Sequence, residues 1–393
     1  MTYKSVEGNQ VAGYRSYRRA PTYYELFMDG EGIPVYQDVG VHDMRNLPLK
    51  PWARMGGNGT FIQLDGTDNK SGMYLVEVPA AGALKPEKHI YEEQFLVIEG
   101  RGSTEIWTDD SPAHHTFEWQ AGSLFSVPMN AWHLLVNARS SPALILAVTT
   151  APITMNLLPN DGFVFNNPFV WHDRYDGQAD FFRPRDDLEP HPETGHAHLR
   201  TNIIPDVLNA KLPLDNGRSP GNLSLSLQLA GNTTFGSFVQ EYPSGRYSMA
   251  HFHDAGPVLI CLRGKGFSMT WPKDVGPRPW ESGREDAVKR YEYGPFGMIS
   301  AAPGGEEWFH QHFSIGKEPM RQIELSGGAR SSPLALKRYR VSRDTELTGI
   351  EVSMKEGGYA LTFKDEDPKV RDIYRQRLQE EGAQFQMPDS AYQ

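Results

Sequence analysis

Residues 249–266, MAHFHDAGPVLICLRGKG, place His251 and His253 one residue apart, just before an apolar run and a Gly-Lys-Gly turn. Alternate side chains of a β-strand point to the same face. If this stretch is extended, both imidazoles therefore lie on one face of a sheet, as two neighbouring metal ligands would.

A second stretch, PEKHIYEEQFLVIEGRG at 86–102, repeats the same spacing. Eleven positions separate His89 from Gly100, and eleven separate His253 from Gly264. Two further spacings recur in the same order: six positions from glycine to proline at 122–128 and 297–303, and nine from histidine to proline at 133–142 and 310–319. The chain therefore contains an internal repeat, and each half has its own copy of the pattern.

The composition bounds the class of protein. The 393 residues include 38 glycines and 29 prolines, which favours a turn-rich β architecture. A formal net charge of -10 argues against nucleic-acid or anionic-membrane binding. Cys261, the only cysteine, lies in the apolar run VLICL and is expected to be a buried, inert thiol. Without a signal peptide or an apolar run of membrane-spanning length, the sequence predicts a cytoplasmic protein.

Short apolar or alternating runs separated by turn residues divide the chain into two β regions. The expected organisation is an N-terminal arm (1–55), a first barrel (56–158), a polar linker (159–218), a second barrel (219–345) and a C-terminal extension (346–393). Within the extension we expect a helix at about 368–381, with Asp367 as its N-cap, Pro368 in its first turn and Gly382 at its end.

The repeated stretches resemble the two signature motifs of the cupin family. The first motif is Gly, five residues, His-x-His, a few residues, Glu, six residues, Gly; the second is Gly, five residues, Pro-x-Gly, two residues, His, three residues, Asn. This resemblance covers roughly two thirds of the chain and implies an all-β bicupin, with two jelly-roll barrels in tandem. The matching positions are Gly245, His251, His253 and Gly264 in the second half, and His89, Glu93, Gly100, Gly122, Pro128, His133 and Asn137 in the first.

The second barrel is the favoured metal site. The resemblance implies that His251, His253 and His310 bind the metal, because Pro257 stands where the motif has its glutamate. Three imidazoles leave coordination positions open for water, O2 or a chelating substrate. His312 shares the strand parity of His310, so it is a candidate hydrogen-bond donor to substrate, or alternatively the ligand in place of His310.

The first barrel offers a second metal site made of His89, Glu93 and His133, with Glu87 as a fourth ligand where the motif has histidine. Two imidazoles and a carboxylate are also a competent ligand set. The alternative is a degenerate barrel whose acidic groups are solvated or engaged in an interface.

Strand parity also suggests walls for the pocket of the second barrel. Tyr247 would share the face of His251, Trp308 would share that of His310, and Arg263 would supply one cationic group. Such walls suit an aromatic or carboxylate-bearing substrate. For the aromatic residues the alternative is plain barrel core, and for Arg263 a solvated strand end.

In layout the chain is similar to gentisate and 1-hydroxy-2-naphthoate dioxygenases. That resemblance implies an Fe(II)-dependent dioxygenase that takes O2 and a small hydroxylated aromatic substrate, although Mn(II), Ni(II) and Zn(II) also suit the ligands. One alternative is a Mn(II)-dependent bicupin decarboxylase, whose relatives usually carry three histidines and a glutamate in each barrel. Another is a bicupin that binds a metal or ligand without catalysis. Cupins commonly form homo-oligomers, which is also expected here.

Overall fold

The computed structural model describes residues 20–67, 70–191, 195–253, 256–305, 307–326 and 351–393. They form two β-barrels, and each barrel is made of one large and one small sheet.

In barrel 1 the eight-stranded sheet runs in the order β1-β4-β5-β12-β7-β10-β15, with β3 added to β4, and the four-stranded sheet in the order β6-β11-β8-β9. The strands of these two sheets are β1 (Val35–Asp38), β3 (Lys50–Trp52), β4 (Gly57–Leu64), β5 (Gly72–Val78), β6 (Gly82–Ala83), β7 (Glu93–Glu99), β8 (Arg101–Trp107), β9 (His115–Gln120), β10 (Leu124–Val127), β11 (Trp132–Asn137), β12 (Ala143–Thr149) and β15 (Ile203–Ile204).

In barrel 2 the eight-stranded sheet runs β13-β14-β16-β17-β24-β19-β22-β2, and the five-stranded sheet runs β21-β20-β23-β18-β25. Their strands are β2 (Gly40–Val41), β13 (Glu189–Pro190), β14 (Ala197–Arg200), β16 (Leu223–Gln228), β17 (Gly236–Tyr242), β18 (Ala250–His253), β19 (Val258–Arg263), β20 (Gly266–Pro272), β21 (Lys289–Tyr293), β22 (Met298–Ser300), β23 (Trp308–Ser314), β24 (Met320–Ser326) and β25 (Ala360–Leu361).

The repeat glycines have a conformational reason. Gly100 and Gly264 directly follow β7 and β19, in the turns that lead to β8 and β20, and their φ angles are +90° and +80°. A side chain would be strained at these angles. It would also collide, because a Cβ on Gly264 would lie 2.4 Å from the carbonyl oxygen of Pro319.

The two large sheets pack face to face and bury one apolar layer between the barrels. Both sheets contribute Leu, Ile and Val side chains that are almost fully buried, and burial of each contributes ~1.5–3 kcal/mol. Examples are Ile62, Leu75, Leu96 and Leu146 from barrel 1 and Leu225, Val239, Ile260 and Ile323 from barrel 2.

Both connecting segments add strands to the barrels. In the N-terminal arm, β1 pairs with β4 of barrel 1, whereas β2 pairs with β22 of barrel 2. In the segment predicted as a linker, β14 pairs with β16 of barrel 2 and β15 pairs with β10 of barrel 1. Residues 159–218 are therefore more structured than their polar composition predicts, because their short strands complete sheets whose other strands are distant in sequence.

Four α-helices lie outside the sheets in the described part of the chain: α1 (Tyr23–Gly30), α2 (Ala151–Leu157), α3 (Asp161–Phe165) and α4 (Pro368–Glu381). The predicted C-terminal helix is α4, with Asp367 as N-cap and Gly382 in the left-handed conformation at its end. Its residues Val370, Tyr374 and Leu378 pack on the outer face of the small sheet of barrel 2.

Two expectations from composition concern the burial of Cys261 and the presence of membrane-spanning segments. Cys261 is buried, and burial raises the pKa of its thiol to about 12, which makes the thiolate scarce at neutral pH. Among the described residues, none of the helices has the length and apolar character needed to span a membrane.

Candidate metal centre

Four residues of the first repeat meet inside barrel 1. Glu87 and His89 lie on the extended segment between β6 and β7, Glu93 is the first residue of β7, and His133 lies on β11. Glu87 and His133 exchange both backbone hydrogen bonds, with N···O distances of 3.1 and 2.9 Å. Because directly paired residues face the same side of a sheet, the side chains of Glu87 and His133 are neighbours.

Glu93 lies at the centre of the group. Its Oε2 atom is 2.9 Å from Nε2 of His89 and 3.8 Å from Nε2 of His133. His133 Nε2 is also 3.8 Å from Oε1 of Glu87. The ligand atoms of His89, Glu93 and His133 all lie within 4.8 Å of one another, and the three residues are almost fully buried.

The buried donor atoms fit a metal ion. Among the described residues, His133 Nε2 and Glu87 Oε1 have no hydrogen-bond partner, although both atoms are buried. Nδ1 of His89 lies 3.0 Å from the carbonyl oxygen of Tyr91, and Nδ1 of His133 lies 3.4 Å from that of Ala131. A proton on Nδ1 would satisfy each carbonyl and leave the lone pair of Nε2 for a metal.

Aromatic residues hold the ligands in place. The hydroxyl of Tyr74 donates to Oε1 of Glu93 at 2.7 Å, so that Oε2 is the oxygen directed at the histidines. The ring of Tyr91 stacks on His89 with centroids 3.7 Å apart. Burial, together with the charges of Glu93 and Glu87, raises the pKa of both tyrosine hydroxyls well above its usual range, so both stay protonated.

Arg54 is the cation beside this group. Its guanidinium pairs with Oε2 of Glu87 and lies 3.2 Å from Oε2 of Glu31. Three aromatic rings surround it, those of Phe27, Trp52 and Phe165, at 5.0–5.6 Å from their centroids.

Arg54 keeps Glu87 ionised. Burial alone would raise the pKa of the Glu87 carboxyl, but the charge of Arg54, together with His133 and His89, outweighs burial and lowers it. For His133 burial lowers the pKa, and the carboxylates of Glu87 and Glu93 outweigh this effect and raise it. In the metal-free protein the site therefore contains an anionic Glu87 beside an imidazole that binds a proton readily.

In barrel 2, His251 and His310 occupy the positions that Glu87 and His133 occupy in barrel 1. They are directly paired across β18 and β23, with ring centroids 4.2 Å apart. The ring of His312 lies 5.4 Å from that of His310, and its Nδ1 is 2.7 Å from Oγ of Ser268. The side chain of His253 lies outside the described residues, so the three-histidine set is described only in part.

The expectation that Tyr247 lines this pocket is not met. Tyr247 pairs with Phe313, one residue out of register with the His251–His310 pair, so its side chain is on the opposite face of the sheet. Its ring stacks on Phe313 at 5.1 Å, and its hydroxyl donates to Oε1 of Glu366 at 2.5 Å. Tyr247 therefore belongs to the layer between barrel 2 and the C-terminal extension.

The other two predicted wall residues lie at strand ends. Trp308 begins β23 opposite His253 and Pro272, half-buried, and its indole fills the space above Gly304. Arg263 ends β19, where its guanidinium pairs with Glu241 at 2.6 Å. The same oxygen of Glu241 also pairs with Arg321 at 2.8 Å, so one carboxylate is shared by two guanidinium groups.

Comparisons with known proteins support the fold. Residues 74–149 match the cupin domain family. This match covers the strands of barrel 1 from β5 to β12, including Glu87, His89, Glu93 and His133. Together with the two β-barrels, it supports the expected fold of two cupin barrels in tandem. A search of curated protein sequences finds no match.

Similar solved structures include two bacterial oxalate decarboxylases. A deletion variant of the Bacillus subtilis enzyme is 12% identical, with 72% of this chain and 75% of that chain covered and a TM-score of 0.44. The formate complex of the Lactobacillus farciminis enzyme is 10% identical, with 73% and 85% covered and a TM-score of 0.46.

Proposed function

We propose that this protein is a divalent-metal-dependent enzyme whose metal binds in barrel 1 to His89, Glu93 and His133, with Glu87 as a fourth ligand. One observation carries the proposal: buried nitrogen and carboxylate atoms converge there, and two of them, His133 Nε2 and Glu87 Oε1, have no hydrogen-bond partner among the described residues. Buried polar atoms without partners cost free energy, and a bound cation would remove that cost.

The ligand set favours a hard metal. Carboxylate oxygens suit Mn(II), and imidazoles with one carboxylate suit Fe(II). With both carboxylates ionised the ligands carry two negative charges, and the neighbouring Arg54 is shared between Glu87 and Glu31. Bound there, the metal would act as a Lewis acid on a substrate oxygen.

The proposed reaction is the decarboxylation of a small carboxylic acid. The resemblance to Mn(II)-dependent bicupin decarboxylases implies four ligands, three histidines and a glutamate. Barrel 1 also has four side chains at these positions, with Glu87 in place of one histidine. In this reaction one C–C bond breaks, CO2 leaves, and the remaining carbanion takes up a proton, so that no O2 is consumed.

The second candidate is the Fe(II)-dependent dioxygenase. It is favoured by the compact group of His89, Glu93 and His133, because two histidines and one carboxylate on one face leave open positions for O2 and a chelating substrate. Both oxygen atoms of O2 would then enter a hydroxylated aromatic acid.

Barrel 2 is proposed as a further metal site, with His251, His253 and His310 as ligands and His312 beside them. Its support is the 4.2 Å separation of the His251 and His310 rings and their equivalence to the pair in barrel 1. Under this proposal the loaded chain holds one ion in each barrel.

The experiment combines metal analysis with two activity measurements. We expect Mn(II) in protein purified without added metal, and CO2 release without O2 uptake from a panel of small mono- and dicarboxylic acids. Iron, together with O2 uptake on hydroxylated aromatic acids, would instead support the dioxygenase.

Variants assign the metal to a barrel. His133→Ala should lose the barrel 1 ion and all activity, and His251→Ala should lose the barrel 2 ion. The matched control is His172→Ala, since His172 is an exposed histidine that also contacts carboxylates, Asp110 and Asp176. Full metal content in folded His133→Ala protein would overturn the barrel 1 proposal.

A further inference from the structure

A third group of metal-ligand type lies outside both barrel interiors. His196 from the segment between the barrels, Asp215 from the approach to β16 and Glu351 from the C-terminal extension have ligand atoms within 4.8 Å of one another. Nε2 of His196 is 3.0 Å from Oε2 of Glu351, and Nδ1 is 3.6 Å from Oδ2 of Asp215.

We infer that His196, Asp215 and Glu351 form a structural site for a first-row divalent cation such as Zn(II), which joins the segment between the barrels to the C-terminal extension. This inference is independent of the reaction proposed for barrel 1.

The separation of one pair of ligand atoms, from His196 and Glu351, suits such an ion, whereas Asp215 contacts the other ring nitrogen of His196. Zn(II) binds histidine nitrogen and carboxylate oxygen at about 2.0–2.2 Å, so two neighbouring ligand atoms lie roughly 3–3.5 Å apart. The distance between His196 Nε2 and Glu351 Oε2 is in this range. One imidazole and two carboxylates leave a fourth position for water.

The site is sheltered, and its carboxylates are held in place. The side chain of Glu351 is 2% exposed and that of Asp215 is 11% exposed. The backbone N–H of Gly217 donates to Oδ1 of Asp215 at 3.0 Å, and the hydroxyl of Ser224 donates to Oδ2. Donors of this kind orient a ligating carboxylate before the ion arrives.

Gly217 provides the space. A Cβ at this position would lie 2.1 Å from Oε1 of Glu351 and 3.2 Å from Oδ1 of Asp215, so a side chain here would displace Glu351 and crowd Asp215. The positive charge of Arg218 also reaches His196, but its guanidinium lies over the ring of Phe238, 4.7 Å from the centroid.

The test is Zn(II) bound per chain at saturation, measured on the full-length protein after removal of weakly bound metal. We expect His196→Ala and Glu351→Gln each to bind one equivalent less than the unaltered protein. The matched controls are His114→Ala and Glu105→Gln, because this exposed pair joins a histidine to a single carboxylate at 2.6 Å. Both controls should keep full stoichiometry.

Thermal unfolding gives a second measurement. Zn(II) binds only the folded site, so it should raise the unfolding midpoint, and this rise should be smaller in the isosteric variants Glu351→Gln and Asp215→Asn. The barrel 1 variant His133→Ala should lose a different equivalent and keep this one. Unchanged stoichiometry in His196→Ala and Glu351→Gln would overturn the inference and leave these residues as an ion pair only.

Discussion

Arg54 binds one oxygen of Glu87 and leaves the other for the metal centre. The guanidinium pairs with Oε2, whereas Oε1 lies 3.8 Å from Nε2 of His133 and has no hydrogen-bond partner among the described residues. One oxygen of the Glu87 carboxylate therefore contacts Arg54, and the other faces the candidate metal ligands. Because Arg54 is enclosed by aromatic rings and already paired, its role is to position Glu87 rather than to bind substrate.

Replacing Arg54 tests whether its guanidinium holds Glu87 in position. Arg54→Ala leaves two largely buried carboxylates, Glu87 and Glu31, without their cation and should lower the free energy of unfolding by about 3 kcal/mol. The double variant Arg54→Ala/Glu87→Gln should recover part of the loss. Urea denaturation measures both. The control is Arg45→Ala, which breaks the exposed pair with Asp43 and should cost less than ~1 kcal/mol. Equal losses of unfolding free energy in Arg54→Ala and Arg45→Ala would contradict the positioning role of Arg54.

Tyr74 orients Glu93 through one hydrogen bond. Tyr74→Phe keeps the ring in the core but removes the hydroxyl that donates to Oε1 of Glu93. Loss of such a partner typically weakens metal binding by about 10–100-fold, and calorimetric titration with Mn(II) would measure it. Tyr23→Phe is the control, because the hydroxyl of Tyr23 contacts the exposed Asp161 instead. An unchanged affinity in Tyr74→Phe would show that Glu93 needs no such support.

Glu366 should make stability depend on pH. Burial raises the pKa of its carboxyl to about 7, although hydrogen bonds from Tyr247 and Gln311 and the charge of Arg371 act against burial. The folded protein therefore binds this proton more tightly than the unfolded chain does. The resulting stability is complete below the ordinary glutamate pKa and is lost as the pH rises towards 7, with a slope of at most ~1.4 kcal/mol per pH unit.

Urea denaturation between pH 5 and pH 8 measures this effect. Glu366→Gln cannot ionise, so it should flatten the decline in stability over this range. The exposed Glu356→Gln should leave the decline unchanged. If Glu366→Gln declined as steeply as the unaltered protein, other groups would be responsible.

Glu92 connects the barrels next to Glu93, a proposed metal ligand. Its carboxylate accepts hydrogen bonds from the backbone N–H groups of Thr233, Thr234 and Phe235, at 2.7–3.0 Å, and from both threonine hydroxyls. Glu92→Gln should lower the free energy of unfolding by roughly 2 kcal/mol, since hydrogen bonds to charged groups are the stronger ones. Hydrogen exchange at residues 233–235 should also increase.

The control for Glu92, which immediately precedes β7, is a glutamate at the other end of that strand. Glu99→Gln changes the exposed glutamate at the end of β7 and should leave both stability and exchange unchanged. A Glu92→Gln variant with the same values as Glu99→Gln would mean that the apolar layer alone holds the barrels together.

The repeat spacing predicted both barrels because it records local geometry. Gly100 and Gly264 have positive φ angles, which the turns after β7 and β19 require, so a glycine stands at the same place in both copies of the repeat. The bounds of α4 were predictable for the same reason, since its cap, its proline and its final glycine are all local signals.

Arg54 and Tyr74 could not be predicted as part of the metal centre. Arg54 comes from the turn between β3 and β4 and Tyr74 from β5, and they meet Glu87 and Glu93 only when the barrel closes. Nothing in the neighbouring sequence distinguishes Arg54 from an ordinary turn residue or Tyr74 from an ordinary strand residue. The position of Tyr247 was wrong because strand parity assumes an unbroken register, and a shift of one residue between Tyr247 and His251 reverses the face.

Because β2 pairs with β22, one strand of this pair leaves the ribosome long before the other. Gly40 and Val41 pair with Ile299 and Met298, which are synthesised more than 250 residues later. At ~5–20 residues per second, the early strand waits on the order of tens of seconds for its partner. The N-terminal half can fold in that time. The C-terminal half, in contrast, takes its edge strand β2 from a segment that was synthesised much earlier. An N-terminal deletion that removes Val41 would therefore destabilise barrel 2, which is formed by the C-terminal half of the chain.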